Sequence, residues 1–459
     1  MFGRVVLIVA LCGAAVCAQQ TRPPNIVLVF VDDLGGRDLG CYGNRVIETP
    51  HLDRLARRGV RFTNAYAAAP VCSPTRASLM SGRSPARTGI TDFIPGHWRP
   101  FAPLRVPTNR TQHLPLEVVT PAEVLKARGY TSGYFGKWHL GGPQFHPDKQ
   151  GFDRTVIRTG GGHFGTRTTP DLKLGKTDEF TSAIVDQAAR FMAENKDDPF
   201  FVMLSPYMVH IPLQGPKDLV EKYGERTQPG EGRHHPTYAA MVEHVDRCVG
   251  RLLAGIDRLG IADNTWVVVT SDNGGLVRRF SGDRTWVSTN APLRSEKGSL
   301  YEGGIRVPLI VVGPEARAGV TCDEPVITMD LHPTFAALGG APRSEGDGKS
   351  LVPLVTGKGG LERDALFWHY PHYHHHTPAS AIRYGRWKLI VTWEDGAAQL
   401  FDLGADASES RDLSRSRPKL VAELRKRLTA ELGDAALPVK NPDHDPEKAG
   451  RWGRHPSRR

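Results

Sequence analysis

A cysteine followed at fixed spacing by a proline and an arginine is the most distinctive chemical feature of the sequence. Pro74 and Arg76 stand two and four residues after Cys72 in the segment CSPTR. Proline suits the first turn of a helix, so the pattern predicts a helix that begins here. Its free N–H groups and the Arg76 side chain, one turn in, would face an anion held beside residue 72. The alternative is a buried structural cysteine that precedes a helix.

Two apolar, β-branched segments each end in residues with carboxylate or amide oxygens. One leads directly into Asp32 and Asp33, and the other leads into Asp272 and Asn273. Open α/β sheets bind their ligands at the carboxyl ends of their strands, so these side chains are expected to meet. Either pair alone is more often a turn. Their joint occurrence after matching strands predicts a site for a hard divalent cation, and ligand type alone does not distinguish Ca²⁺ from Mg²⁺ or Mn²⁺.

Further lysines and histidines follow predicted strands or, in one case, precede a segment that contains two glycines. Lys137 and His139 lie in the segment GKWHLG, His210 lies in PYMVHIP, and Lys297 lies in SEKG with Arg294 as a nearby cationic rival. Lysines can hold an anion, and a histidine near neutral pH can accept or donate a proton. Each of these residues alone would be interpreted as a surface residue. In combination with the cysteine segment and the acidic strand ends, they indicate a site for an anionic substrate.

Together these segments resemble the type I sulfatases of the alkaline phosphatase superfamily, from about residue 24 to residue 415. The resemblance implies that a formylglycine-generating maturation enzyme oxidises Cys72 to formylglycine. The hydrate of that aldehyde is a geminal diol. One hydroxyl can attack sulfur, and the other can later expel sulfate by collapsing to the aldehyde. The resemblance therefore implies hydrolysis of sulfate esters.

The same resemblance assigns roles to the candidate residues. The implied calcium ligands are Asp32, Asp33, Asp272, Asn273 and residue 72 itself. The implied catalytic residues besides Cys72 are Arg76 and Lys137, which hold the hydrate and the sulfate, His139, which takes the hydrate proton, His210, the general acid for the leaving group, and Lys297, which contacts the sulfate and the leaving oxygen.

The substrate implied by the resemblance is a sulfated carbohydrate. The sequence around His372 and Arg383 resembles that of glycan sulfatases acting on galactose or N-acetylgalactosamine sulfates, so both residues are predicted to bind substrate. His163 is predicted to face the substrate where some family members carry a hydroxyl residue. The histidine-rich segment 369–376 looks like a metal site, but three adjacent histidines cannot easily share one ion. We predict a substrate-facing loop there.

Two other functions stay open at this point. One keeps the fold and the formylglycine but hydrolyses phosphonate or phosphate esters. The other is a sulfated-glycan-binding protein without catalysis, against which the full set of catalytic residue types argues.

The elements that must position these residues are strands that alternate with helices. This pattern predicts an α/β fold, a three-layer α/β/α sandwich, over a catalytic domain at residues 24–362, and the resemblance implies that it is of the alkaline phosphatase type. Short strand-like segments then predict a smaller C-terminal antiparallel sheet covered by one helix, at residues 363–437. A basic tail at 438–459 completes the chain.

The amino terminus has the pattern of a secretory signal peptide at residues 1–18, a short apolar run that ends in small residues. It predicts a secreted or periplasmic protein, or one in a lysosome-type compartment in a eukaryote, with no stable membrane insertion. A lipid anchor on Cys17 is less favoured, because Val16 is bulky for that position.

The chain of 459 residues has a formal net charge of +10, which favours acidic partners. Export argues against nucleic acid as that partner. Four cysteines follow the signal peptide, and if Cys72 is modified, at most one disulfide can form. The sequence contains no feature that fixes the oligomeric state.

Overall fold

The computed structural model describes residues 22–279, 284–342 and 345–451. The predicted signal peptide with Cys17, and the end of the tail at 452–459, lie outside the described residues, so those interpretations stay predictions. The strands are β1 (Asn25–Val31), β2 (Val60–Phe62), β3 (Ala65–Tyr66), β4 (Leu104–Arg105), β5 (Thr131–Gly136), β6 (Arg154–Gly160), β7 (Arg167–Thr169), β8 (Phe200–Ser205), β9 (Thr265–Ser271), β10 (Leu309–Val312), β11 (Val320–Cys322), β12 (Val326–Ile327), β13 (Ala365–Tyr370), β14 (Ala379–Tyr384), β15 (Trp387–Thr392), β16 (Ala398–Asp402) and β17 (Val439–Lys440).

The α-helices fall between these strands. They are α1 (Pro50–Arg57), α2 (Cys72–Ser81), α3 (Pro85–Thr88), α4 (Pro121–Lys126), α5 (Phe180–Glu194), α6 (Lys217–Gly224), α7 (Pro236–Arg258), α8 (Glu302–Ile305), α9 (Leu331–Leu338), α10 (Val352–Thr356) and α11 (Pro418–Leu432).

A central sheet organises the larger part of the molecule. Within the described residues it has nine strands, in the order β11-β2-β10-β9-β1-β8-β5-β6-β7. The inner strands β9, β1, β8 and β5 are mutually parallel. Their carboxyl ends therefore lie side by side at one edge, where an open α/β sheet binds its ligands.

Both faces of this sheet are covered by helices. Successive side chains of a strand point to opposite faces. Val27 and Val29 accordingly pack in a core with residues of α5 and α7, whereas Ile26 and Leu28 pack in a second core with residues of α2, α4 and α9. The apolar run of β1 is thus buried on both sides, which confirms the predicted three-layer α/β/α sandwich.

The C-terminal part forms the predicted antiparallel meander, β13-β14-β15-β16. Helix α11 covers one face of it through Leu424 and Leu428. The other face packs against the larger part, and Trp368 donates a hydrogen bond from Nε1 to the carbonyl of Ala67 at 2.9 Å. Because this interface is continuous and buried, the boundary after residue 362 stays a prediction.

The segment after α11 is attached to the surface. Strand β17 pairs antiparallel with β4, and Asn441 donates to the carbonyls of Pro100 and Ala102, both at 2.8 Å. Within the described residues Cys41, Cys72, Cys248 and Cys322 are free thiols. No helix in that part of the chain is long and apolar enough to cross a membrane.

Candidate active site

The four predicted metal ligands meet at the carboxyl ends of β1 and β9. Asp32, Asp33, Asp272 and Asn273 are buried, each at most 1% exposed. The Asp33 amide donates to Oδ1 of Asp272 at 3.1 Å, and Nδ2 of Asn273 donates to Oδ1 of Asp33 at 2.7 Å. Because β1 and β9 pair in register as far as Val31 and Ser271, the two acidic turns lie side by side. The predicted convergence is confirmed.

Cys72 is the first residue of α2, as the proline spacing predicts. Its Sγ lies 3.2 Å from Nζ of Lys137, 3.6 Å from Nζ of Lys297 and 3.6 Å from Oδ1 of Asp32. Burial raises the pKa of the Cys72 thiol to about 12, although the two lysines pull it in the opposite direction. The unmodified side chain is therefore a protonated thiol at neutral pH and a poor nucleophile.

Each of the two lysines near Cys72 is paired with a carboxylate. Nζ of Lys137, which directly follows β5, lies 2.6 Å from Oδ2 of Asp32. Nζ of Lys297 contacts both carboxylate oxygens of Asp33, at 2.7 and 2.9 Å. Both lysines are buried, and this pairing raises the pKa of each above its usual value in spite of burial. They are fixed positive charges beside residue 72.

Arg76 holds the helix start against the end of β9. Its Nε and Nη2 donate to Oδ2 of Asp272 at 3.0 and 2.7 Å. Its Nη1 donates to the Lys137 carbonyl and to Oγ of Ser205, both at 2.8 Å. The guanidinium is 1% exposed, so its geometry is set by protein partners on or directly after three strands. Its hydrogen bonds go to these partners, so Arg76 fixes the start of α2 and adds a buried positive charge near residue 72.

The donor set fits a divalent cation. Burial and the neighbouring Asp32 raise the pKa of Asp272, because the two carboxylates are crowded together away from water. Oδ1 of Asn273 is buried and has no hydrogen-bond partner among the described residues. A hard cation would use that oxygen and relieve the repulsion. Ligand atoms of Asp32, Asp33, Cys72 and His210 also lie within 4.8 Å of one another.

The position and the tautomer of His139 suit a proton acceptor. It takes the left-handed backbone region, φ 59°, which a non-glycine residue adopts at a cost and which is frequent at active sites. Its Nε2 donates to the carbonyl of Ile94, so Nδ1 carries the lone pair. That Nδ1 is buried without a partner among the described residues. Burial, with Lys137 and Arg76 nearby, lowers its pKa well below the usual value.

His210 follows β8 and points its ring towards the acidic turn. Its Nδ1 donates to the carbonyl of Ile211 at 2.6 Å, and its Nε2 lies 3.8 Å from Oδ2 of Asp33. An unperturbed histidine has a pKa near neutrality, but burial and the Lys297 charge lower the pKa of His210 to about 4. As a general acid, His210 must first take up a second proton.

The three predicted substrate-binding residues are buried. His163 is fully buried and donates from Nε2 to the His210 carbonyl at 2.7 Å, which argues for positioning that loop rather than for direct substrate contact. His372 is bonded to Oγ1 of Thr91 at 2.8 Å and lines a cavity of about 210 Å³. Arg383 donates to the Tyr66 hydroxyl. Substrate binding by all three stays a prediction.

The histidine-rich segment forms no metal cluster among the described residues. Instead, Nδ1 of His375 lies 2.9 Å from the Lys297 carbonyl. The ring of His374 packs against the ring of His97, with centroids 4.8 Å apart. His97 and His372 line the same cavity, so this segment is next to the site.

Sequence reasoning missed residues that hold the site together. Ser205 ends β8 and accepts from Arg76, and Oγ of Ser73 donates to the His139 carbonyl at 2.9 Å. The ring of Tyr207 lies 5.7 Å from the ammonium of Lys137 and 3.7 Å from the guanidinium of Arg158. Ser205 was detectable, because it is the last residue of a buried strand, as Asp32 directly follows one. The other contacts depend on which loops meet.

Comparison with known proteins shows the family of the chain. Residues 24–341 match the family model described as Sulfatase, and residues 295–436 match the model described as N-sulphoglucosamine sulphohydrolase, C-terminal. Arylsulfatase A of Homo sapiens is 35% identical, with 92% of this chain and 85% of the relative covered. N-acetylgalactosamine-6-sulfatase of Canis lupus familiaris is 31% identical, with 90% of this chain and 80% of the relative covered.

A solved structure gives the same result for the whole architecture. The crystal structure of Ps i-CgsB in complex with k-i-k-neocarrahexaose has a TM-score of 0.77 at 31% identity, covering 93% of this chain and 96% of that chain. Fold and site together define an alkaline phosphatase-like sulfuric ester hydrolase. The chain belongs to the sulfatase family.

Proposed function

We propose that this protein is an exported, formylglycine-dependent sulfatase that hydrolyses sulfate esters of a carbohydrate, of the galactose or N-acetylgalactosamine type. The observation that carries the proposal is the convergence of two buried lysines and a helix amino end on the side chain of residue 72. The raised thiol pKa argues against a thiolate nucleophile at this position.

The metal and the modified residue have separate parts in this proposal. Asp32, Asp33, Asp272 and Asn273 would hold Ca²⁺, with Mg²⁺ as the alternative. The cation, when bound, supplies positive charge that polarises a sulfate oxygen. Formylglycine at position 72 would supply the hydroxyl nucleophile.

The protein's own charges would bind the sulfate and the charge that develops on it. Lys137 and Lys297 are held on carboxylates, so they do not need to reorganise when the substrate arrives. Fixed charges in a buried site stabilise an anionic transition state more than mobile surface charges do. Arg76 positions the amino end of α2 for the same anion.

The two histidines would transfer different protons: His139 would accept one from the hydroxyl at residue 72, and His210 would donate one to the leaving oxygen. His139 has its Nδ1 lone pair unpartnered among the described residues, so it can accept the proton of the attacking or collapsing hydroxyl. His210 would donate a proton from Nε2 to the leaving oxygen, once it is protonated. The lowered pKa of His210 makes the protonated ring a strong acid, which suits a poor alkoxide leaving group.

The carbohydrate class is supported by the relatives and by the cavity beside the site. One relative is named an N-acetylgalactosamine-6-sulfatase, and the i-CgsB structure holds a neocarrahexaose. The cavity lined by Asp92, His97, Trp98, Asn109 and His372 offers polar groups and an aromatic ring.

The test compares turnover of nitrophenyl sulfate, nitrophenyl phosphate and a panel of defined sulfated saccharides by protein coexpressed with a formylglycine-generating enzyme. Mass spectrometry of the peptide that contains residue 72 reports the modification. We expect formylglycine, preference for the sulfate ester and release of sulfate from a galactose or N-acetylgalactosamine sulfate. A preference for phosphate, or an unmodified Cys72 in active protein, would contradict the proposal.

A further inference from the structure

A second cluster of metal-ligating side chains lies away from the active site, between α5 and α7. Glu179 is the residue before α5 and caps it by accepting from the amides of Thr181 and Ser182. His244 and Cys248 stand one turn apart on α7 and face that cap. None of these residues belongs to the proposed sulfatase machinery.

The ligand atoms of this cluster converge on one point. Nε2 of His244 lies 2.7 Å from Oε2 of Glu179 and 3.5 Å from Sγ of Cys248. Oγ of Ser182 lies 3.4 Å from that Nε2 and 3.6 Å from that Sγ. In a tetrahedral zinc site with bonds of 2.0–2.3 Å, neighbouring ligand atoms are about 3.3–3.6 Å apart. Three of these four separations already have that spacing, and the shortest is a hydrogen bond whose proton the metal would replace.

The arrangement differs from a cysteine nucleophile with its base. A catalytic Cys–His–Glu set needs one ring nitrogen of the histidine on the thiol and the other on the carboxylate. Here the same Nε2 of His244 faces both Glu179 and Cys248. The thiol is also 1% exposed, whereas a nucleophile must reach its substrate. One atom facing two ligand groups is the geometry expected around a shared central ion.

The chemistry of the donors selects the ion. A thiol, an imidazole and a carboxylate suit a metal of borderline softness, in contrast to the oxygen donors of the active site. The cluster is buried but reachable, because the side chains of Glu179 and His244 keep 7% and 14% of their surface exposed. We propose that Glu179, His244 and Cys248 bind Zn²⁺, with the Ser182 hydroxyl or a water as fourth ligand.

The site would have a structural role. It links the first turn of α5 to the middle of α7, the helix that precedes β9 and therefore Asp272. Binding would deprotonate the Cys248 thiol and displace the proton shared by His244 and Glu179, so zinc affinity would fall at acidic pH. With the Ser182 hydroxyl as fourth ligand, the set of protein ligands is closed, which is typical of structural rather than catalytic zinc.

The experiment uses the full chain in a Cys72→Ala background, so that the catalytic cysteine cannot contribute. Zinc is measured by mass spectrometry after dialysis against metal-free buffer, and the zinc is then replaced by Co²⁺. We expect about one zinc per chain and a thiolate-to-Co²⁺ charge-transfer band. Both should be lost in Cys248→Ser and His244→Asn and kept in Cys322→Ser, a matched control at a half-buried cysteine.

Several results would overturn the proposal. They are the absence of zinc from the Cys72→Ala protein together with a melting temperature that added Zn²⁺ leaves unchanged, no charge-transfer band with Co²⁺, or equal zinc loss in the Cys322→Ser control. If Cys248→Ser does not fold, the cobalt spectrum of the parent protein decides, since it requires no further substitution. Calcium is measured as a separate element and does not enter this result.

Discussion

Two buried clusters in this molecule, each of which pairs carboxylates with cationic side chains, have different roles. One cluster, here called the junction, lies between the C-terminal sheet and the larger part of the molecule. There Nζ of Lys388 lies 2.8 Å from Glu302 and 2.9 Å from Glu409, and the side chains of Lys388 and Glu302 are fully buried. At the active site, three carboxylates oppose Arg76, Lys137 and Lys297. The junction carboxylates face the lysine that lies between them, whereas both active-site lysines also contact the sulfur of residue 72.

The comparison teaches that burial and pairing of charges do not by themselves mark a functional site. Both clusters have shifted carboxyl pKa values. The active site differs because its cations also face residue 72 at a helix amino end, where Asn273 Oδ1 and His139 Nδ1 have no hydrogen-bond partner among the described residues, whereas Oε1 of Glu409 at the junction is ion-paired with Lys388. The junction has a different function: it attaches the small sheet to the segment that follows Lys297. The four substitutions below test this distinction.

The largest expected effect is at the nucleophile. Cys72→Ala removes the only side chain that can become formylglycine there, so we expect turnover of nitrophenyl sulfate to fall by a factor on the order of 10⁴ or more. Binding of a sulfated saccharide should remain measurable by calorimetry. Cys322→Ala is the control and should keep full activity. Surviving activity in Cys72→Ala would refute the proposed mechanism.

The next effect is on stability at the junction. Lys388→Met leaves Glu302 and Glu409 buried without the lysine between them, and we expect the free energy of unfolding to drop by about 3–5 kcal/mol. Denaturant unfolding measures it. Lys358→Met, which breaks an exposed pair with Glu315, should change stability by less than about 1 kcal/mol. Equal effects in the two variants would show that burial of the junction pair is energetically unimportant.

In contrast to Lys388→Met, substitution of an active-site lysine should reduce activity more than it reduces stability. Lys137→Met removes one fixed charge from the sulfate site, and we expect kcat/KM to fall by about 10²–10³. Added Ca²⁺ should restore part of any lost stability by compensating Asp32, but it should not rescue Lys388→Met. Lys149→Met, at an exposed lysine, is the activity control. An unchanged kcat/KM in Lys137→Met would remove this lysine from the mechanism.

The smallest expected effect is a pH dependence. Burial raises the pKa of Glu409 to about 7, so the folded protein binds a proton that the unfolded chain releases above its ordinary pKa near 4.5. Stability from this group is therefore lost as pH rises between these values, by at most about 1.4 kcal/mol per pH unit. Glu409→Gln should lack that slope in denaturant unfolding between pH 5 and 8. Parallel stability curves for the two proteins would contradict the assignment.

Much of the site could be predicted from the sequence because its residues stand at the ends of recognisable elements. The strand before Asp32, the strand before Asp272 and the helix start at Cys72 all have local signatures. Parallel strands in such a sheet bring their carboxyl ends together. The start of α4 is equally local: Thr120 and Glu123 form a capping box, which depends only on neighbours in the chain.

The sequence by itself determined the α/β fold class, the sulfatase motif and the oxygen donors, because side-chain periodicity, helix starts and strand ends are local properties. Only the tertiary structure decided the burial of His163, the lowered pKa of His210 and the meeting of Glu179 with His244 and Cys248. Burial and electrostatics depend on groups far apart in the chain. The β9-β1-β8-β5 strand order determines which of those groups become neighbours.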